Sequence, residues 1–174
     1  MSGILSPGTD GWAWSRLDLD IPLLLLLAQK TERPGDQYGL GAKAPSLTAQ
    51  ASEIAEGRID CSGYFRWLIR RTTGLTIADG SFHQMQWLED CGFKDSSVEG
   101  GKLCDGVVRA AYMRPVARGG VGHIALIHNG RTIESSSKRG PGRRPWTGMG
   151  WQSRCRVWVL TMPTKKDPAV AGSS

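Results

Sequence analysis

Asp60-Cys61-Ser62-Gly63 sets a cysteine in a turn of small residues, directly before an amphipathic stretch. Further along, Gly122-His123-Ile124-Ala125-Leu126-Ile127 sets a histidine at the opening of a short apolar run. A thiol at a helix N-terminus lies at the positive end of the helix dipole, which favours the thiolate. The thiolate, not the thiol, attacks a carbonyl carbon, and a histidine within hydrogen-bond reach is the matching base. The two segments therefore predict acyl-transfer chemistry with Cys61 as nucleophile and His123 as base. Taken singly, such a cysteine is commonly a buried structural residue, and such a histidine is satisfied by the backbone. The pairing is what points to chemistry. His83 is a weaker candidate base, and His128, at the far end of the His123 run beside a turn, is expected to face solvent.

The elements that must bring the two together follow from spacing. Residues 17–30 read as a helix stopped by Pro34-Gly35. A small-residue loop over 39–57 holds one helical turn at 49–56. Residues 61–73 read as a helix with Phe65, Leu68 and Ile69 on one side and Gly74 closing it. A second short helix spans 81–90, ended by Gly92. The period then changes: 106–113, 123–128, 131–135 and 155–162 are rich in Val, Ile, Leu and aromatics and read as strands. Asn129-Gly130 between two of them is a tight-hairpin signal. Helices followed by antiparallel strands predict an α+β domain. Residues 137–151 read as a long Gly/Pro/Arg loop. The expected organisation is an irregular arm over 1–16, a single domain over 17–163 and a flexible tail over 164–174, without internal repeats.

A chain of 174 residues buries a core without staples. Its net charge of +6 points to a polyanionic partner, nucleic acid or an anionic wall polymer alike. Lys138, Arg139, Arg143 and Arg144 concentrate that charge. With no interleaved aromatics and no recognition helix, nucleic acid is not expected. The segment reads as a solvated loop or as a grip on carboxylates or phosphates. Cys61, Cys91, Cys104 and Cys155 contain no C-x-x-C pair, so zinc-ligand spacing is absent, and neither a metal nor a cofactor is expected. Cys91, Cys104 and Cys155 read as small buried hydrophobes, although Cys91 and Cys104 would be able to pair in an oxidising compartment. The seven tryptophans are spread widely, as core anchors and cleft lining. Leu23 to Leu27 is not read as a signal peptide, because Asp18 and Asp20 stand where positive charge belongs and Pro22 abuts the run. It is too short to span a bilayer and predicts a buried helix.

With these elements in place the sequence resembles the NlpC-type cell-wall cysteine peptidases, a papain-like family that cuts peptidoglycan stem peptides. The resemblance covers about residues 17–162. It is carried by Asp60-Cys61-Ser62-Gly63 before a helix and by Gly122-His123 opening an apolar strand with the Asn129-Gly130 turn. Tyr38-Gly39-Leu40-Gly41 adds weaker support, and Asp105-Gly106 stands where the family has Gly-Asp, in inverted order. The resemblance implies N-terminal helices packed on an antiparallel sheet. It also implies a third polar residue on the strand after the histidine, which falls at Glu134. Family members often carry histidine, asparagine or glutamine there; a carboxylate serves by accepting the second imidazole N–H. Tyr38 is implied as an oxyanion donor alongside the Cys61 backbone N–H, with Ser62 and Gly122 as further substrate-binding positions.

The activity implied is peptidoglycan hydrolysis at an amide of the stem peptide, the D-glutamyl–diamino acid bond. The setting would be a phage lysin or a secreted antibacterial effector, the latter with an inhibitory immunity protein as partner. The expected protein is a monomer without a membrane span or cleaved signal peptide. It would act on the cell wall, in the periplasm, after non-classical export or phage lysis. Two other classes stay open. One is an acyltransferase or deamidase on the same fold, although the related lipid acyltransferases place histidine before cysteine. The other is a non-catalytic basic binding module, which would not need Cys61, His123 and Glu134 together.

Overall fold

The computed structural model describes residues 3–5, 11, 13–33, 37–117 and 119–163. Trp12, the Pro34-Gly35 stop and the tail over 164–174 lie outside them. Asp20 opens the first helix, α1 (Ile21–Thr31), by accepting the Leu23 N–H at 2.8 Å. Pro22 fits because the first helical turn has no use for its missing N–H. That cap moves the start away from the expected residue 17, since Arg16–Leu17 forms strand β2 and pairs with β1 (Ile4–Leu5). The described part of the expected N-terminal arm is thus partly a two-stranded ladder. Within α1, Leu24, Leu27, Ala28 and Thr31 are buried while Leu26 is 45% exposed, so the leucine run is half-buried, not wholly inside. No helix among the described residues is long and apolar enough to cross a membrane.

A short helix, α2 (Ala51–Glu56), follows within the expected loop. Helix α3 (Cys61–Thr73) has the predicted bounds. The Asp60 carboxylate takes the Gly63 N–H at 2.7 Å, and Gly74 closes the helix with a left-handed φ of 78°, where a side chain would be strained. Tyr64, Phe65, Trp67, Leu68 and Ile69 are buried to 2% exposure or less. Each such residue stabilises by roughly 1.5–3 kcal/mol relative to exposure. Helix α4 (Ser81–Asp90) ends at Cys91, one residue before Gly92 with its positive φ.

Six antiparallel strands form the main sheet: β3 (Lys94–Ser96), β4 (Val108–Met113), β5 (His123–His128), β6 (Arg131–Ser136), β7 (Gly140–Pro145) and β8 (Cys155–Val159), in the order β3-β8-β4-β5-β6-β7. The α+β architecture is therefore present. Asn129 and Gly130, with φ of 46° and 72°, turn β5 into β6. Strand β7 falls inside the expected loop and corrects it. Proline at both of its flanks is tolerated because β7 lies at the sheet edge and pairs with β6 alone. Alternation along the strands makes two faces. Ile124, Leu126, Ile133 and Trp158 meet the helices in the larger core, whereas Ile127, Val157 and Cys155 meet Trp146 and Trp151 on the other side. By the same alternation His123, Thr132 and Glu134 belong to the second face.

Candidate active site

Cys61 is the first residue of α3, so its backbone N–H is one of those without an intrahelical acceptor. Several contacts hold this helix start in place. Asp60, 5% exposed, takes the Gly41 N–H at 3.0 Å and the Lys43 ammonium at 2.7 Å, besides its capping bond. The Asp60 N–H donates to the Ala42 carbonyl and the Ile59 N–H to the Gln37 carbonyl, at 2.9 and 3.1 Å. The segment holding Tyr38 is thus laced to the residues just before Cys61. From the sheet, the Ser135 hydroxyl donates to the Ile59 carbonyl at 2.6 Å. Ser62 does not fit its expected substrate contact. It is 4% exposed, and its hydroxyl lies between Asp60 at 3.0 Å and Lys43 at 2.9 Å. It braces the helix start.

The Cys61 thiol donates to the Gly122 carbonyl at 3.9 Å, and it lies near enough to the side chains of His123 and Tyr38 to raise the pKa of each. His123 uses Nε2 for Glu134, Oε2 at 2.5 Å, which leaves Nδ1 for the thiol. Burial disfavours the His123 imidazolium. The hydrogen bonds and negative charges of Cys61 and Glu134 outweigh that and raise its pKa to about 9. Glu134 is pulled the opposite way. Its burial favours the neutral acid, but His123, the Thr132 hydroxyl and the Arg144 guanidinium hold its carboxyl below the usual range. Thr132 donates to the other carboxylate oxygen at 2.7 Å, and Arg144 Nη1 stands 3.5 Å from it. Tyr38 is pushed up to about 12 by burial and by the charges of Cys61 and Asp60, so its hydroxyl remains a donor.

A cleft of about 660 Å³ opens over the His123–Glu134 pair, lined by Tyr38, Gly122, His123, Glu134, Arg144 and Trp151 among others, with Cys61 buried beneath its lining at 4% exposure. Trp151 meets the His123 ring edge-on, with centroids 5.0 Å apart and planes at 88°. It is wedged in turn against Trp146, whose indole N–H donates to the Val98 carbonyl at 2.7 Å. The Nε2 bond to Glu134 and the Trp151 indole packed against the ring give His123 little freedom to rotate.

The remaining sequence candidates lie elsewhere. His83 is exposed and bonds the Asp79 carbonyl at 3.0 Å. His128 is half-buried instead of solvent-facing, and burial lowers its pKa. All four cysteines are free, so Cys91 and Cys104 are not paired. Of the residues expected as buried hydrophobes, Cys155 is buried, Cys91 is half-buried and Cys104 is exposed. Burial pushes the Cys155 thiol up to about 12 and raises that of Cys91 as well. Sequence reasoning missed Lys43 and Thr132; it placed Trp151 only among the tryptophans expected as core anchors and cleft lining, and Arg144 in a loop that was solvated or gripped carboxylates or phosphates. The available signal was the sheet pairing of Thr132 with Arg144, hidden because residues 140–145 carry no strand pattern.

Comparison of the sequence with models of known protein families gives no match, and a search among curated proteins finds no relative.

Proposed function

We propose that this chain is a cysteine amide hydrolase of the NlpC type that cuts the stem peptide of peptidoglycan, at the D-glutamyl–diamino acid bond. One observation carries the reading: His123 is paired with the Glu134 carboxylate at 2.5 Å and lies near enough to Cys61, at the start of α3, for that thiol to raise its pKa. In the first half-reaction His123 takes the Cys61 thiol proton and the sulfur attacks the amide carbonyl carbon. The Tyr38 hydroxyl and the Cys61 backbone N–H face the oxygen that becomes negative. The carbon–nitrogen bond then breaks. His123 gives its proton to the leaving amine, and an acyl thioester remains on Cys61. In the second half, His123 takes a proton from water as the oxygen attacks the thioester; the carbon–sulfur bond breaks to release the carboxylic acid, and His123 returns the proton to the Cys61 sulfur, restoring the thiol. Glu134 keeps the imidazole oriented and favours its charged form throughout.

Purified peptidoglycan incubated with the protein and with Cys61→Ala, with fragments identified by mass spectrometry, tests this. Stem-peptide fragments cut at one amide by the wild type alone are the expected result. Intact wall with both proteins, or equal cutting by both, overturns it. Loss of ammonia without chain cleavage would mark a deamidase on the same nucleophile.

A further inference from the structure

Past Glu134 the β6–β7 hairpin carries more cations than the nearby carboxylates neutralise. Lys138 and Arg139 sit in its turn, β7 returns Arg144 beside them, and all three line the cleft that holds His123. Glu134 is the one carboxylate among the described residues lining it, and it is already engaged by His123 and Thr132. Among the described residues neither Lys138 nor Arg139 pairs with a carboxylate, and the buried Nη1 of Arg144 has no hydrogen-bond partner. An adjoining cavity of about 310 Å³ shares Arg139 and Arg144 and adds Arg33 and Arg143. The positive surface thus continues outward, with Arg143 matched by Glu32 at 3.2 Å and Arg144 sharing the Glu134 carboxylate at 3.5 Å.

Direction follows from the reaction. His123 protonates the departing nitrogen, so the leaving half of the substrate lies on the His123 side of Cys61. Strand order then places β6 and β7 beyond β5. We infer that Lys138, Arg139 and Arg144 form an anion subsite that holds a carboxylate on the leaving half of the substrate. The enzyme accordingly prefers amides whose released amine bears a carboxylate. Guanidinium groups grip carboxylates through paired N–H donors, which a lysine-only surface would not provide. The inference rests on the thiol reading of the site.

Iodoacetate and iodoacetamide test it without any knowledge of the full substrate. Both alkylate a thiolate by the same displacement of iodide and differ by a carboxylate against a carboxamide. Their rates are followed on the Cys61 peptide by mass spectrometry. The iodoacetate-to-iodoacetamide ratio should fall about fivefold or more in Lys138→Gln/Arg139→Gln, the effect of roughly one close charge pair in water. It should also fall in the wild type as salt is raised. Lys138→Arg/Arg139→Lys, which keeps both charges, should retain the wild-type ratio and so separates charge from folding. A ratio unchanged by the double glutamine substitution overturns the subsite and leaves the thiol mechanism standing. Failure of both reagents to alkylate Cys61 overturns the thiol reading and the subsite with it.

Discussion

At the scale of single residues His123 stands beside Cys61 and is paired with the Glu134 carboxylate, and the pH behaviour expected of the proposed reaction follows from that arrangement. His123 must be an imidazolium to protonate the leaving amine. With its pKa raised to about 9, kcat/KM should hold through neutral pH and fall as the pH rises through about 9. Glu134→Gln removes one of the two negative partners, so this alkaline limb should move down toward ~6.5. The variant should keep partial activity, while Glu134→Ala should lose more. His123→Ala should lose roughly 10²- to 10⁴-fold in rate; pH–rate profiles of the three variants check this. Stability carries the same signs. His123 binds its proton more tightly folded than unfolded, so its contribution is full below ~6.5 and is lost as the pH rises through about 9. Glu134 binds its proton less tightly when folded, so its contribution is present above about 4.5 and lost as the pH falls through the lowered value. The Tm gap between wild type and His123→Ala should therefore be widest near pH ~5–6.5 and narrow on both sides.

At the scale of elements, the start of α3 and the turn into β7 set the positions of the reacting groups. Asp60 caps the helix and pairs with Lys43. Asp60→Asn keeps a capping oxygen and loses the ion pair, whereas Asp60→Ala loses both. Urea unfolding should order them wild type, Asn, Ala, with Ala down by about 1–3 kcal/mol. Gly140 holds a φ of 67°, and a Cβ there would lie 2.8 Å from Gln37 Cβ and 3.0 Å from its backbone carbon. Gly140→Ala should cost about 1 kcal/mol or more. Because the strain falls on the segment holding Tyr38, it should lower kcat/KM beyond the loss of folded protein. Circular dichroism melts beside initial rates separate the two effects.

For the molecule as a whole, the formal charge of +6 acts over the distance that salt permits, about 10 Å at 0.1 M and about 3 Å at 1 M. Cutting of anionic wall should slow across that range, while iodoacetamide, a neutral reagent, should alkylate Cys61 at a nearly constant rate. Parallel decline of both would trace the salt effect to the site itself and not to recruitment of the polymer. The two-faced sheet assigns the parts: helices build the larger core on one face, and His123, Glu134 and the Trp146–Trp151 wedge occupy the other.

Local forces were enough to make much of this legible from the residues. The Asp60 cap, the Gly74 termination and the Asn129-Gly130 turn act within a few positions of the chain, and their energies scarcely depend on the rest of the fold. The bounds of α3 and β5 and the order of nucleophile and histidine follow from them. Other features depend on partners that sequence cannot rank. Lys43 reaches Asp60 from 17 residues away, and Ser135 bonds Ile59 from 76 away. Gly140-Pro141-Gly142-Arg143-Arg144-Pro145 has no alternating pattern and becomes a strand because the free edge of β6 offers it a ladder. Ser62 reads as a cleft residue by adjacency to Cys61, yet helical geometry turns its side chain inward to Lys43. Long-range hydrogen bonds and packing outweigh local preference at such places because preferences differ by only about 1 kcal/mol, and one sheet edge or buried ion pair exceeds that.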